Sequence, residues 1–165
     1  MRSDSHIHST SRRLTTVRVL GALLLLFVGA DHLYESSVDD YAVLPTIGTL
    51  FLLNFISAAL VGALLLAPLE RLFMRFDTLV LQAAAFAGLG TAATSLLALL
   101  VSEQTRLFGF MESNYRPAII VALASEGAAT LVLAALLATA RRARHSAGGS
   151  RAGRGGLSHA GGQIG

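Results

Sequence analysis

The chain has 165 residues, of which 53% are hydrophobic and only 14% are charged, and its mean hydropathy is +0.62. This length suits one domain, and so large an apolar fraction excludes an ordinary soluble fold. The absence of Cys excludes disulfide bonds, thiolate metal sites and cysteine-based redox chemistry.

Residues 1–17 are polar and basic, with no hydrophobic period that would predict a packed element. We therefore expect a disordered cytoplasmic tail. His6 and His8 form an H-x-H pair that would suit a metal ion, but a terminus rich in Ser and Thr is more typical of a disordered segment.

The first apolar segment, residues 19–30, is shorter than the about 20 residues that a membrane-spanning helix needs. We therefore extend the predicted span to residues 18–35. A cleaved signal peptide is the alternative, because a basic start, a short apolar run and small residues precede Asp31. The sequence leaves both interpretations open.

Three further spans are predicted at residues 46–67, 79–101 and 118–140, and Pro45 and Pro117 precede two of them. Small residues recur every four positions in the last two spans, as close helix packing in lipid requires. The recurring positions are Ala84, Gly88 and Ala92 in the third span, and Ala118, Ala122, Glu126, Thr130, Ala134 and Ala138 in the fourth. The predicted fold class is all-α, a four-transmembrane-helix bundle over residues 18–140 with disordered basic termini.

Residues 141–165 are rich in Arg, Gly, Ser and Ala and too poor in large apolar residues to pack, so a second disordered tail is predicted. Its R-A-G-R-G-G run is superficially similar to RNA-binding segments, but next to a membrane span we expect contact with anionic lipid headgroups and no nucleic acid.

The arginines fix the expected orientation, since all 13 basic residues are Arg. Four lie at the N-terminal end, three in the tail and Arg18 at the start of the first span; two lie in the second connector and five in the C-terminal tail, whereas the other two loops hold only Arg106 and Arg116. The positive-inside rule then predicts a multi-pass protein of the plasma membrane with both termini cytoplasmic.

Ionisable groups inside a span are costly and so are candidates for function. Glu126 lies near the middle of the fourth span, and Asn54, Thr94 and Ser95 are predicted at a similar depth on the second and third spans. The sequence therefore predicts a buried polar or proton site. These side chains would either bond one another as structural contacts between helices, or use Glu126 to carry a proton or bind a cation.

A second candidate group, at the outer mouth of the bundle, consists of Asp31, His32, Glu35 and Tyr41. Asp31, His32 and Glu35 share one helical face, where His32 is expected to pair with Glu35 or to cap the outer loop. One helix offers too few ligands for a metal, and a second His for haem is missing from the spans. We therefore expect neither a metal nor a cofactor.

Residues 41–54, Y-A-V-L-P-T-I-G-T-L-F-L-L-N, preceded by His32 and Leu33, form a fairly specific pattern. It resembles a group of uncharacterised small four-helix integral membrane proteins of high-GC bacteria. The resemblance implies their topology and no catalytic activity.

Three classes of function fit these observations. The first choice is a structural or accessory membrane component that assembles as a homo-oligomer or within a larger membrane complex through its small-residue faces. A small proton- or cation-coupled transporter using Glu126 is the alternative, and a cofactor- or metal-binding subunit is the second alternative. An enzyme is disfavoured, since no nucleophile elbow or phosphate-binding loop occurs.

Overall fold

The structure, a computed structural model, describes residues 3–38, 45–106 and 117–155, and the description below concerns only these. Four long helices contain most of them. They are α1 (Ser3–Val38), α2 (Pro45–Leu66), α4 (Asp77–Ser102) and α5 (Pro117–Gly155), while a short helix α3 (Leu69–Leu72) and one 3-10 turn (Met74–Phe76) join α2 to α4.

Four segments are long and apolar enough to cross a membrane: Arg12–Ser37, Pro45–Leu66, Met74–Ser102 and Pro117–Arg142. Each overlaps one predicted span. Large apolar side chains cover the outside of the helices, and Leu60, Phe86 and Leu131 are each more than half exposed. Such a surface is stable in lipid and unstable in water. The all-α four-helix prediction is confirmed, and the architecture is that of a multi-pass membrane protein.

The first and last long helices of the chain, α1 and α5, are longer than the predicted spans. Helical backbone continues through residues 3–17 and 141–155, where composition alone predicts disordered tails. The difference has a physical reason, because composition reports whether a segment buries apolar surface, whereas a helix already formed in a span extends at low cost, one hydrogen bond per residue.

Each helix packs against two neighbours around the bundle. The contacting pairs are α1 with α2, α2 with α4, α4 with α5 and α5 with α1, whereas α1 and α4 face each other diagonally. Leu25, Leu65 and Leu133 are fully buried at the centre. Alanines fill several other core positions and bring the helix backbones close together: Ala22, Ala58, Ala85, Ala92 and Ala129.

The predicted burial of Ala84, Gly88 and Ala92 on α4 is confirmed. Gly88 is the tightest point, because a Cβ there would lie 2.7 Å from Leu25, 3.2 Å from Val61 and 3.3 Å from Leu133. These neighbours belong to the other three long helices, so all four helices pack closely at Gly88 and a side chain larger than hydrogen would displace its neighbours.

The small-residue face predicted along all of α5 is wrong in its second half. Glu126 is buried, but Ala134 and Ala138 are exposed, and the core takes up Leu133, Leu136, Leu137 and Ala140 in their place. Residues four apart rotate by about 40° per step on a helix with 3.6 residues per turn. After three such steps from Glu126, Ala138 points away from the bundle.

An ion pair joins α1 to α3 at the end of the bundle where α2 is connected to α4. Arg18 Nη1 lies 3.4 Å from Glu70 Oε1, and the Glu70 side chain is 66% exposed. We expect Glu70→Gln to change the free energy of unfolding by less than about 1 kcal/mol, because water screens exposed pairs. Detergent titration of the unfolding equilibrium measures this change. A loss of unfolding free energy well above about 1 kcal/mol, the upper bound expected for exposed pairs, would show that the Arg18–Glu70 pair is not screened by water.

Candidate functional site

A cavity of about 730 Å³ lies at one end of the bundle. This is the end at which the chain leaves α1 and enters α2, and leaves α4 and enters α5. All four long helices contribute to its wall, which is mostly apolar. The lining residues are Asp31, His32 and Glu35 on α1; Ile47, Leu50, Phe51, Leu53, Asn54 and Ser57 on α2; Gly90, Thr91, Thr94, Ser95, Leu97, Ala98, Leu99, Val101 and Ser102 on α4; and Ala118, Ile119, Ala122 and Glu126 on α5.

His32 is fixed in the cavity wall by contacts with three helices. Its Nδ1 lies 3.0 Å from the carbonyl oxygen of Val28, one turn earlier on α1. Its ring meets the ring of Phe51 on α2 edge to face, at a centroid distance of 5.1 Å. Its Nε2 lies 2.9 Å from Ser95 Oγ on α4. The imidazole is buried and held in a single orientation.

Glu126 lies on the other side of Ser95. The Ser95 hydroxyl donates to Glu126 Oε1 over 2.5 Å, and His32 Nε2 is 3.5 Å from the same carboxyl oxygen. The Glu126 residue is only 1% exposed, although it reaches the cavity wall. His32, Ser95 and Glu126 thus form one connected group, hereafter the triad.

Counting hydrogens in the triad gives two arrangements. Because Nδ1 faces a carbonyl oxygen, it must carry a hydrogen. With Ser95 donating to Glu126, the hydroxyl has no second hydrogen and must accept one from Nε2. That arrangement pairs an imidazolium with a carboxylate. Moving one hydrogen along each bond gives a neutral imidazole and a neutral carboxyl group, so one mobile proton is shared and the net charge is zero in both.

The other members of the two predicted groups occupy the same cavity. Asn54 and Thr94 line it, but the hydrogen bond to Glu126 comes from Ser95. Asn54 Oδ1 is buried without a hydrogen-bond partner among the described residues, and so is Glu126 Oε2. Asp31 and Glu35 line the mouth side of the wall on α1. Tyr41 lies outside the described residues.

The division into a deep site and an outer-mouth group is corrected by these contacts, because His32 bonds Ser95 and lies beside Glu126. The predicted first span ended at residue 35, whereas α1 runs to Val38. His32 therefore lies six residues from the helix end, roughly 9 Å along the axis, instead of one turn. Extending the predicted first span by three residues, to Val38, would have placed His32 closer to the depth of Glu126. Phe51 was missed because its apolar side chain gave no such signal.

No group of three or more His, Asp or Glu side chains is arranged to hold a metal ion in the described ranges. The triad supplies one imidazole nitrogen and one carboxylate, with the second imidazole nitrogen occupied by Val28. An imidazole, a hydroxyl and a carboxyl group in this arrangement can pass a proton between them, and the carboxylate can pair with a cation.

Comparisons with protein-family models, with curated proteins and with solved structures find no match for this chain.

Proposed function

We propose that this protein is a small membrane transporter that exchanges one proton for one monovalent cation at Glu126. The observation that supports it is the triad, in which a buried carboxyl group is linked through Ser95 to His32 in the wall of a cavity of about 730 Å³. A site of this kind holds a proton and also has room beside it for a ligand.

The charge of the triad explains why proton and cation would compete. With its mobile proton the triad is neutral, and without it Glu126 carries an uncompensated negative charge that is 1% exposed. An isolated charge at this depth in a membrane is costly. A cation that enters the cavity restores neutrality, so the two species occupy the site in turn.

The charges around the cavity favour a cation over an anion. On α1 the ionisable groups that face it are Asp31, His32 and Glu35, and on α5 it is Glu126. The segments of α2 and α4 that line it carry none, and no arginine belongs to the described part of the wall. Carboxyl groups in a wall of low polarity concentrate positively charged ligands.

A structural or accessory component, the competing function, would bury its polar groups by packing side chains around them. Protein interiors are packed about as densely as organic crystals and contain few voids larger than a water molecule. The cavity beside Glu126 has the size of a ligand site, about 300–1,000 Å³. Its volume is what favours a binding function over a purely structural one.

The arginine distribution suggests which way the cavity faces. If the eleven arginines at the two ends of the chain and in the α2–α4 connector are cytoplasmic, the cavity opens toward the outer leaflet of the plasma membrane. The arginines in the part of α5 beyond the fourth span would then contact anionic headgroups of the inner leaflet.

Proton–cation exchange can be measured with the full chain in liposomes that trap a pH-sensitive dye in an acidic interior. Sodium, potassium, guanidinium, tetramethylammonium and cyclohexylammonium salts are added outside in turn. For cyclohexylammonium, the pH change in protein-free liposomes is subtracted, because the neutral form of this amine crosses lipid unaided. We expect at least one cation to make the interior more alkaline, and no response to any of them would contradict transport.

Ser95→Ala is expected to slow this exchange about tenfold or more, because it removes a hydrogen bond to a charged group, worth about 1.5–3 kcal/mol, and breaks the hydrogen-bonded link between His32 and Glu126. Ser125→Ala is the matched control, since that hydroxyl donates to the Ala122 carbonyl within α5. Equal rates in the two variants would exclude a role for Ser95 in proton transfer.

A further inference from the structure

Two buried oxygen atoms that belong to residues of the cavity wall lack hydrogen-bond donors among the described residues. Glu126 Oε2 and Asn54 Oδ1 are inaccessible to water and have no partner among the described residues, and both residues line the cavity. Buried acceptors in proteins are almost always paired, so each unpaired one requires an explanation. A ligand that brings its own N–H groups would satisfy both.

The rest of the wall restricts what else the ligand carries. Around the polar positions it is formed by leucine, isoleucine, valine and alanine side chains from α2, α4 and α5, and by Phe51. A bare divalent metal ion is disfavoured there, because it needs several ligands held together, and no group of three or more His, Asp or Glu side chains among the described residues is arranged to hold one. An apolar body fills such a cavity by removing its own surface from water.

From these observations we propose that the cation taken up by the cavity is a protonated amine with an apolar body. Its ammonium group replaces the mobile proton at Glu126 and, once the two side chains rotate toward the cavity, donates N–H bonds to Glu126 Oε2 and Asn54 Oδ1. This inference rests on the proposed exchange at Glu126 and names the ligand class for it.

The binding step balances in protons and charge. The ligand arrives as R–NH₃⁺, the triad releases its one mobile proton to water, and Glu126 remains as a carboxylate beside the ammonium group while His32 is neutral. Proton and ligand therefore compete. The apparent affinity is expected to rise about tenfold per pH unit wherever the empty triad holds its proton.

Three probes with the same body and different head groups test the ligand class: cyclohexylammonium, cyclohexyltrimethylammonium and cyclohexanol. Their affinities are measured by titration calorimetry on the full chain in lipid nanodiscs at one pH. Cyclohexylammonium is expected to bind about tenfold more tightly than the trimethylated cation, which has the same charge but no N–H group, and cyclohexanol more weakly still.

Asn54→Ala tests the same claim from the protein side without changing Glu126. It should weaken cyclohexylammonium about tenfold and leave the trimethylated cation unchanged, because only the former donates to Asn54. Thr130→Val is the control: its hydroxyl is buried without a partner in the described part of the chain, but it does not line the cavity.

The outcomes separate the two proposals. If sodium or potassium exchanges for protons in liposomes while none of the cyclohexyl probes binds, the transport proposal stands and the amine assignment is overturned. Equal affinities for the ammonium and trimethylated probes would also overturn it. If cyclohexanol binds as tightly as the ammonium and no cation moves protons, both proposals fail.

Discussion

Glu126→Gln is expected to abolish proton–cation exchange, reducing the rate to that of protein-free liposomes, while the bundle stays folded. Gln has nearly the shape of Glu and keeps an oxygen that accepts from Ser95, but it has no proton to release and no charge to offer a cation. We expect the free energy of unfolding to change by less than about 1 kcal/mol, because the hydrogen bond to Ser95 is retained. The measurements are dye-detected proton flux and detergent-induced unfolding.

Glu70→Gln is the matched control for this variant, since it makes the same chemical change at an exposed carboxylate outside the cavity. It should leave proton flux at the wild-type rate. Wild-type flux in Glu126→Gln would remove the carboxyl group from the mechanism. If the Glu126→Gln variant fails to fold and the wild-type protein moves no protons, Glu126 has a structural role.

Gly88→Ala should lower the free energy of unfolding by about 1–3 kcal/mol, the usual cost of overpacking a filled core. The new Cβ would meet a Leu25 side-chain atom at 2.7 Å, closer than carbon atoms approach in proteins. Leu25 is completely buried, and Val61 and Leu133 lie 3.2 and 3.3 Å from the same Cβ, so side chains of three helices must shift within a packed core to admit the methyl group. Detergent titration of the unfolding equilibrium measures the loss.

Gly90→Ala provides the comparison on the same helix, because a Cβ there meets no atom within 4 Å. It should leave stability unchanged or raise it by about 0.5–1 kcal/mol through the higher helix propensity of alanine. If both variants lose stability equally, the effect belongs to the helix backbone, and the close packing around Gly88 would not be its cause.

The positions of the spans could be predicted from the sequence, because apolar length and flanking Pro45 and Pro117 are local properties of the chain. The burial of Gly88 also followed from a local pattern. The buried face of α5 could not be predicted in this way, because the stripe of residues four apart rotates away from the core beyond Thr130. Which face of a long helix is buried depends on the positions of its neighbours, and a pattern within one helix does not contain them.

The members of the site were predictable one at a time, and their arrangement was not. Glu126 and Ser95 stand out as polar residues inside apolar spans, and His32 as a histidine near a span's end. The contact of His32 with Ser95 and Glu126 depends on the vertical offset and rotation of α1 against α4 and α5. Those quantities depend on how the helices pack against one another, and the sequence of a single helix does not contain them.

The proton released when a cation binds is the most direct test of the triad. It is counted by titration calorimetry of the full chain in nanodiscs, using the cation that exchanges fastest in liposomes and two buffers that differ in ionisation enthalpy. One proton per bound cation is the predicted result for the wild type, and none for Glu126→Gln. Binding without proton release in the wild type, or the same release in both proteins, would contradict exchange at Glu126.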